Sequence, residues 1–219
     1  DECWSNGIHL NIMQESLKQA EDGWSNIHAM DDIVRDIIKT QDILTVASIS
    51  SNAGAGGAIL ALAADYVVAQ NGIILNPHYK TLGLYGSEYW TYLLPKRVGF
   101  KKATQIMERC LPLGAIRALK IGLVDIVFND ETPTYKVQLE KFCENLANAE
   151  NYYDLLDKKN DLRQKDENIK PLQKYRDEEL EEMYKSFYDV DSEFNKLRCE
   201  FVYKVTPKHT PKRLALHRR

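Results

Sequence analysis

With 219 residues, 44% of them hydrophobic and 28% charged, the chain is long enough for one sizeable core and an appended smaller unit. A net charge of -3 offers no general attraction for nucleic acid, and no apolar run reaches the roughly 18 residues that a membrane span requires, so neither partner is expected. Cys3, Cys110, Cys143 and Cys199 are scattered without a Cys-x-x-Cys pair, which argues against a zinc cage or a disulfide framework and for a reducing cytoplasm.

The chain opens on Asp1 and reaches a motif almost at once, so it is expected to be a piece of something longer. Residues 8–20 and 24–39 space their apolar side chains at three and four residues, the second through Ile27, Met30, Ile33, Val34, Ile37 and Ile38, and predict two amphipathic helices. The β-branched run at 45–50 predicts a short strand. It leads into residues 51–65, SNAGAGGAILALAAD, whose glycines carry no Cβ and let main-chain N–H groups face outward at a helix start. Unpaired donors and the positive end of the helix dipole there favour developing negative charge, and Gly56 is the candidate donor. A buried helix over about 57–64 and short strands at 66–69 and 73–75 follow, an alternation that implies α/β layering. Ser87 with Glu88 is expected to open a helix running toward Arg97. Short helices at 101–109 and 115–120, the second closed by Gly122, and a strand at 123–128 complete this part.

From Thr132 the texture changes to charge-rich helical segments at 135–149, 152–159, 171–188 and 192–204, and no glycine occurs after Gly122. Leu180, Met183, Tyr184, Phe187, Phe194, Leu197 and Phe201 share one face, so these helices are expected to pack as an all-helical annex or against a partner. The tail at 204–219 holds six lysines and arginines and no acid. That excess suits phosphates or a sister domain, and equally a solvated terminus. His9 and His78 stand too isolated to propose a metal site.

The string SNAGAGGAILALAADYVVA, the later Pro112-Leu113-Gly114-Ala115 and the ending Ile121-Gly122-Leu123-Val124-Asp125 resemble the crotonase, or enoyl-CoA hydratase, superfamily over roughly residues 4–128. More narrowly, SNGIHLN at 5–11, NPHYKTLGLYGSEYWTYLLPKRVG at 76–99 and the closing TPKRLALHRR resemble the carboxy-terminal region of the HypX family of hydrogenase maturation factors. The resemblance implies an α/β crotonase-like layered fold without its amino-terminal strands. It divides the chain into an acyl-CoA-binding core at 1–131, a helical region at 132–203 and the basic tail at 204–219. It also implies a missing amino-terminal domain that moves a formyl group from formyl-tetrahydrofolate to coenzyme A, with the present region splitting formyl-CoA to carbon monoxide and CoA. A piece without that domain is not expected to use formyl-tetrahydrofolate. Whether the helices after the core build a homo-oligomer or clasp the missing domain stays open.

Within this resemblance the two main-chain donors to the thioester oxygen fall on Ile8 and Gly56, and Asn6, Gly7, Gly57 and His78 are expected to line the substrate. Fixed donors aimed at a developing oxyanion contribute about 2.7–4 kcal/mol each. Hydratases of the superfamily carry two acid–base glutamates, and this chain departs at both positions, which fall on Ile59 and Tyr79. Ordinary enoyl-CoA hydration is therefore not expected. Tyr79, were its phenol lowered from about 10, could move a proton, and Glu88 is its candidate partner, with Tyr85 in support. The allocation of base and donor between Tyr79 and Glu88 is open at this level. Two further readings stand beside formyl-CoA cleavage: another acyl-CoA hydratase or isomerase, and a noncatalytic CoA-binding or assembly module.

Overall fold

The computed structural model describes residues 3–128, 132–206 and 208. Two small sheets form its centre. In the first, β1 (Cys3–Ser5), β3 (Asn52–Gly54), β5 (Ile74–Asn76) and β6 (Leu113–Gly114) lie in the order β1-β3-β5-β6, the first three parallel and β6 antiparallel to β5. In the second, β2 (Val46–Ile49), β4 (Tyr66–Gln70) and β7 (Ile126–Phe128) run parallel in the order β2-β4-β7, with Val46 opposite Tyr66 and Val68 opposite Ile126. Val67, Val68 and Ala69 are fully buried, as expected of a parallel strand covered on both faces.

Helices α1 (Leu10–Glu15), α2 (Gln19–Lys39), α3 (Ala55–Leu60), α4 (Trp90–Val98), α5 (Phe100–Arg109) and α6 (Ala115–Lys120) surround these sheets. They are followed by α7 (Thr132–Ala147), α8 (Tyr152–Ile169), α9 (Leu172–Tyr188) and α10 (Glu193–Val202). The helix expected over 8–20 is broken. Ser16 takes an extended backbone, its hydroxyl donates to Asp22 and accepts the Lys18 N–H, and this local bonding ends α1 and starts α2 afresh. The strands β1 and β3 carry no alternation long enough to be read from sequence, yet they pair directly, Cys3 opposite Asn52 and Ser5 opposite Ala53.

The late helices dock on this centre. The Tyr135 hydroxyl on α7 donates to the Val68 carbonyl at 3.2 Å, and the Tyr152 hydroxyl on α8 accepts the Leu44 N–H at 3.2 Å. Lys159 on α8 donates to Asp65, which also receives the Thr45 main-chain N–H and hydroxyl. Helix α8 continues ten residues past the segment expected at 152–159, carried by Leu162, Arg163, Gln164, Lys165 and Glu167, whose helix propensity is high. On α9, Leu172 enters the main core, while Leu180, Met183 and Phe187 join Met13, Ile27 and Phe194 in a second one. The tail expected at 204–219 lies outside the described residues beyond Thr206, apart from Lys208.

Gly57 shows how tightly β1 lies on α3: a Cβ there would stand 2.3 Å from the Ser5 carbonyl oxygen. Backbone cannot yield as a side chain does, so Gly57→Ala is expected to destabilise the protein by about 3 kcal/mol, the upper end of overpacking costs. Urea unfolding measures it, and an unchanged midpoint would contradict this packing.

Candidate active site

The glycine turn begins where β3 ends. Ala55, at φ +44°, swings the chain sharply into α3, and Gly56 follows in its first turn, where no intrahelical carbonyl is available to its N–H. The loop at 6–8 lies against it: Gly7 has φ +73°, and a Cβ built on Gly7 would stand 3.2 Å from the Gly56 nitrogen. Ile8 is half-buried against the second core. Asn6 and His78 close on Gly54, whose Cβ would meet Asn6 Oδ1 at 2.8 Å and His78 Cε1 at 3.3 Å. The His78 ring is tied by Nδ1 to the Asn76 carbonyl oxygen at 2.7 Å.

Between β5 and α4 the chain folds back so that Tyr79 and Glu88 meet. The Tyr79 hydroxyl donates to Glu88 Oε2 at 2.6 Å, and both side chains are buried, 4% and 2% exposed. Two glycines make the room. A Cβ on Gly56 would lie 2.5 Å from Glu88 Oε1, and one on Gly86, at φ +103°, would lie 2.8 Å from the Tyr79 ring. The carboxylate therefore sits directly over the helix start that carries the candidate donor. Ile59, three residues past Gly56, is wholly buried in the main core.

Glu88 does not open the helix as the sequence suggested. Glu88 and Tyr89 both adopt left-handed backbone, at φ +61° and +59°, and α4 starts only at Trp90. The Glu88 N–H donates instead to Asp31 Oδ1 of α2 at 2.8 Å, which holds the left-handed segment against α2. With Ala55, three of the five non-glycine residues of positive φ among the described residues lie at this site. Each costs about 1–3 kcal/mol, and such strain concentrates where function holds it in place.

Burial, reinforced by the Glu88 charge and the hydrogen bond to it, pushes the Tyr79 phenol well above its ordinary range. This reverses the downward shift entertained from sequence, because a phenolate beside a carboxylate in a dry site is doubly disfavoured. Burial likewise raises Glu88, against the lowering effect of the Tyr79 and Ser87 hydrogen bonds. Tyr79 is thus a neutral donor and Glu88 the group of the two that can hold or release a proton. Tyr85 stands apart. It is 41% exposed, its ring is tilted on Trp90 at 5.4 Å, and among the described residues it makes no hydrogen bond to the pair.

Two acids here escaped the sequence reading. Asp31 is wholly buried on α2, and burial with the nearby Glu88 charge pushes it up to about 7. Its Oδ2 stands 3.6 Å from Arg176 Nε of α9. Glu179, also wholly buried, accepts the Thr91 N–H and hydroxyl, and burial holds its carboxyl well above the usual range. Both interrupt apolar stripes, Asp31 between Ile27 and Val34 and Glu179 beside Leu180 and Met183, and that interruption was the signal available. A cavity of about 520 Å³ opens elsewhere, between α8 and the core. Lys96, Arg97, Lys159 and Arg163 on its wall are paired with Asp166, Asp125, Asp65 and Glu167.

A model of the enoyl-CoA hydratase/isomerase family matches residues 1–211. The hydrogenase maturation factor HoxX of Bradyrhizobium diazoefficiens is 46% identical over 216 residues, covering 98% of the chain and 38% of HoxX. The crystal structure of HypX from Aquifex aeolicus in complex with tetrahydrofolic acid matches with a TM-score of 0.93 at 42% identity, over 100% of the chain and 39% of HypX. An enoyl-CoA hydratase from Bacillus halodurans shares the fold, with a TM-score of 0.71 at 18% identity over 86% of the chain and 72% of that enzyme. The chain thus spans under two-fifths of the length of HoxX and HypX.

Asp31 gives a stability signature. Its native carboxyl keeps a proton up to about pH 7, whereas the unfolded chain releases it near 3.8. Between those values the native state binds the extra proton, so stability falls as pH rises, by about 1.4 kcal/mol per unit for one proton. Asp31→Asn is expected to flatten the dependence by that amount between pH 4 and 7 in urea titrations. A slope equal to the parent's would assign the proton elsewhere.

Proposed function

This chain belongs to the enoyl-CoA hydratase/isomerase family, and we propose that it is the CoA-thioester lyase part of a HypX-like hydrogenase maturation enzyme, splitting formyl-CoA into carbon monoxide and CoA for the nickel-iron hydrogenase cofactor. The 46% identity to HoxX over nearly the whole chain supports the maturation setting. The observation that carries the chemistry is the buried Tyr79–Glu88 hydrogen bond seated on Gly56. In this reading a separate amino-terminal domain loads the formyl group from formyl-tetrahydrofolate onto CoA, a cytoplasmic carrier. The tetrahydrofolic acid bound by HypX from A. aeolicus supports that arrangement.

The Ile8 and Gly56 N–H groups steady the formyl oxygen. Glu88, its carboxyl raised toward the working pH by burial, takes the formyl C–H proton. The electron pair of that bond completes carbon monoxide as the C–S bond breaks with its electrons on sulfur. The proton then passes to the departing thiolate, so formyl-CoA gives carbon monoxide and the CoA thiol with nothing else consumed. Tyr79, kept neutral by the same burial, donates to Glu88 and orients it. Enoyl-CoA hydration is the weaker reading, because Ile59, at the first of the two positions where the resemblance expects a glutamate, is a buried aliphatic chain.

Glu88→Gln and Tyr79→Phe in the full-length protein are each expected to lower carbon monoxide release from formyl-CoA by about 10²–10⁴-fold, with CoA affinity by calorimetry little changed. Parental release from both variants would refute the pair. Because the base must be ionised, the parental rate is expected to rise with pH through the raised Glu88 pKa and level above it. Its acid limb is therefore expected above the value of about 4.3 for an ordinary glutamate.

A further inference from the structure

Two helices distant in sequence, α2 and α9, meet the segment that presents Glu88. The Glu88 N–H donates to Asp31 Oδ1 at 2.8 Å, and three residues on the Thr91 N–H and hydroxyl both donate to Glu179 Oε1, at 2.7 and 2.5 Å. The left-handed residues Glu88 and Tyr89 fall between these anchors. Tyr89, the residue before α4, makes no side-chain cap, so Glu179 supplies from another helix the acceptor that a capping side chain normally provides. Among the described residues Asp31 Oδ2 and Glu179 Oε2 have no hydrogen-bond partner, and burying an acid with one oxygen unsatisfied is costly. What the acids supply is placement: each sets an acceptor oxygen from a neighbouring helix against strained backbone, and that oxygen accepts whether its carboxyl is ionised or protonated. Arg176 steadies one arm, with Nε near Asp31 Oδ2, Nη1 donating to Asp32 at 2.6 Å and Nη2 donating to the His28 carbonyl oxygen at 3.2 Å.

Building on the reading of Glu88 as the base, we propose that Asp31 and Glu179 are its positioning residues, a two-helix clamp that fixes the backbone at 88–91 so that the Glu88 carboxylate reaches both Tyr79 and the Gly56 turn. Helix α9 thereby becomes part of the working site.

In the full-length protein, Asp31→Ala and Glu179→Ala are expected to lower kcat for carbon monoxide release by roughly 10- to 100-fold, the effect of about 1 Å of misplacement, with KM nearly unchanged. Asp31→Asn and Glu179→Gln, which keep an acceptor oxygen, are expected to recover most of that loss. In a Glu88→Gln background the alanine substitutions are expected to cost little more, since they act through the residue already removed. Parental kcat in both alanine variants, or full additivity with Glu88→Gln, overturns the proposal. Hydrogen–deuterium exchange needs no substrate: amide 88 is expected to exchange faster in Asp31→Ala and amide 91 in Glu179→Ala, and unchanged protection overturns the clamp. Should an alanine variant lose cooperative melting, Thr91→Val, which removes one donor to Glu179, is read instead, with a several-fold loss of kcat supporting the proposal and parental kcat and exchange overturning it. A parent that releases no carbon monoxide refutes the proposed reaction, while the exchange measurements still decide the clamp.

Discussion

A hydroxyl donating to a carboxylate that water barely reaches is the contact around which this site is arranged. The Tyr79–Glu88 bond places two polar groups in the protein interior, and each surrounding feature answers a requirement of that placement. Gly56 and Gly86 lack Cβ atoms because any other residue would occupy the volume of the carboxylate or the ring. The backbone at Glu88 and Tyr89 is left-handed, and in that course the Glu88 side chain meets Tyr79. Burial raises both groups, but the phenol starts about six pKa units higher, so the pair divides into a permanent donor and a titrating acid.

That division is built on a familiar fold. The layered fold is shared with an enoyl-CoA hydratase at low sequence identity. In this chain Ile59 is packed into the core, and Tyr79 faces Glu88, nine residues on in the same connection between β5 and α4. Function in such a fold is decided by a few side chains grafted onto a common frame.

The helices after residue 132 are more than a covering. Helix α9 closes the second core through Leu180, Met183 and Phe187, sends Arg176 to Asp31 and Asp32, and gives Glu179 to the first turn of α4. Charge-rich helices of this kind ordinarily present their acids and bases to solvent. Here Arg176, Glu179 and Arg198 are buried on the inner face, each with polar partners from other elements or its own helix.

Sequence alone determined the elements whose side chains repeat with a clear period: the stripe of α2, the strand β4, the short helices α5 and α6, and the helical character of the chain after Thr132. It also singled out Gly56 and Glu88, because a glycine run after a strand and an unusual density of polar and aromatic residues are local properties, whereas Tyr79 was reached through the resemblance to the hydratases. Only the tertiary structure decided the rest. Three-residue strands such as β1 and β3 hold no period to read, and their pairing exists only once residues 3 and 52 are neighbours. The Ser87–Glu88 pair carries a helix-start pattern, yet the backbone there is left-handed and held by an acid 57 residues earlier, a contact that no local window contains. The direction of the Tyr79 shift, and the entry of Asp31 and Glu179 into the site, follow from burial and from charges assembled across the fold, which no window of sequence contains.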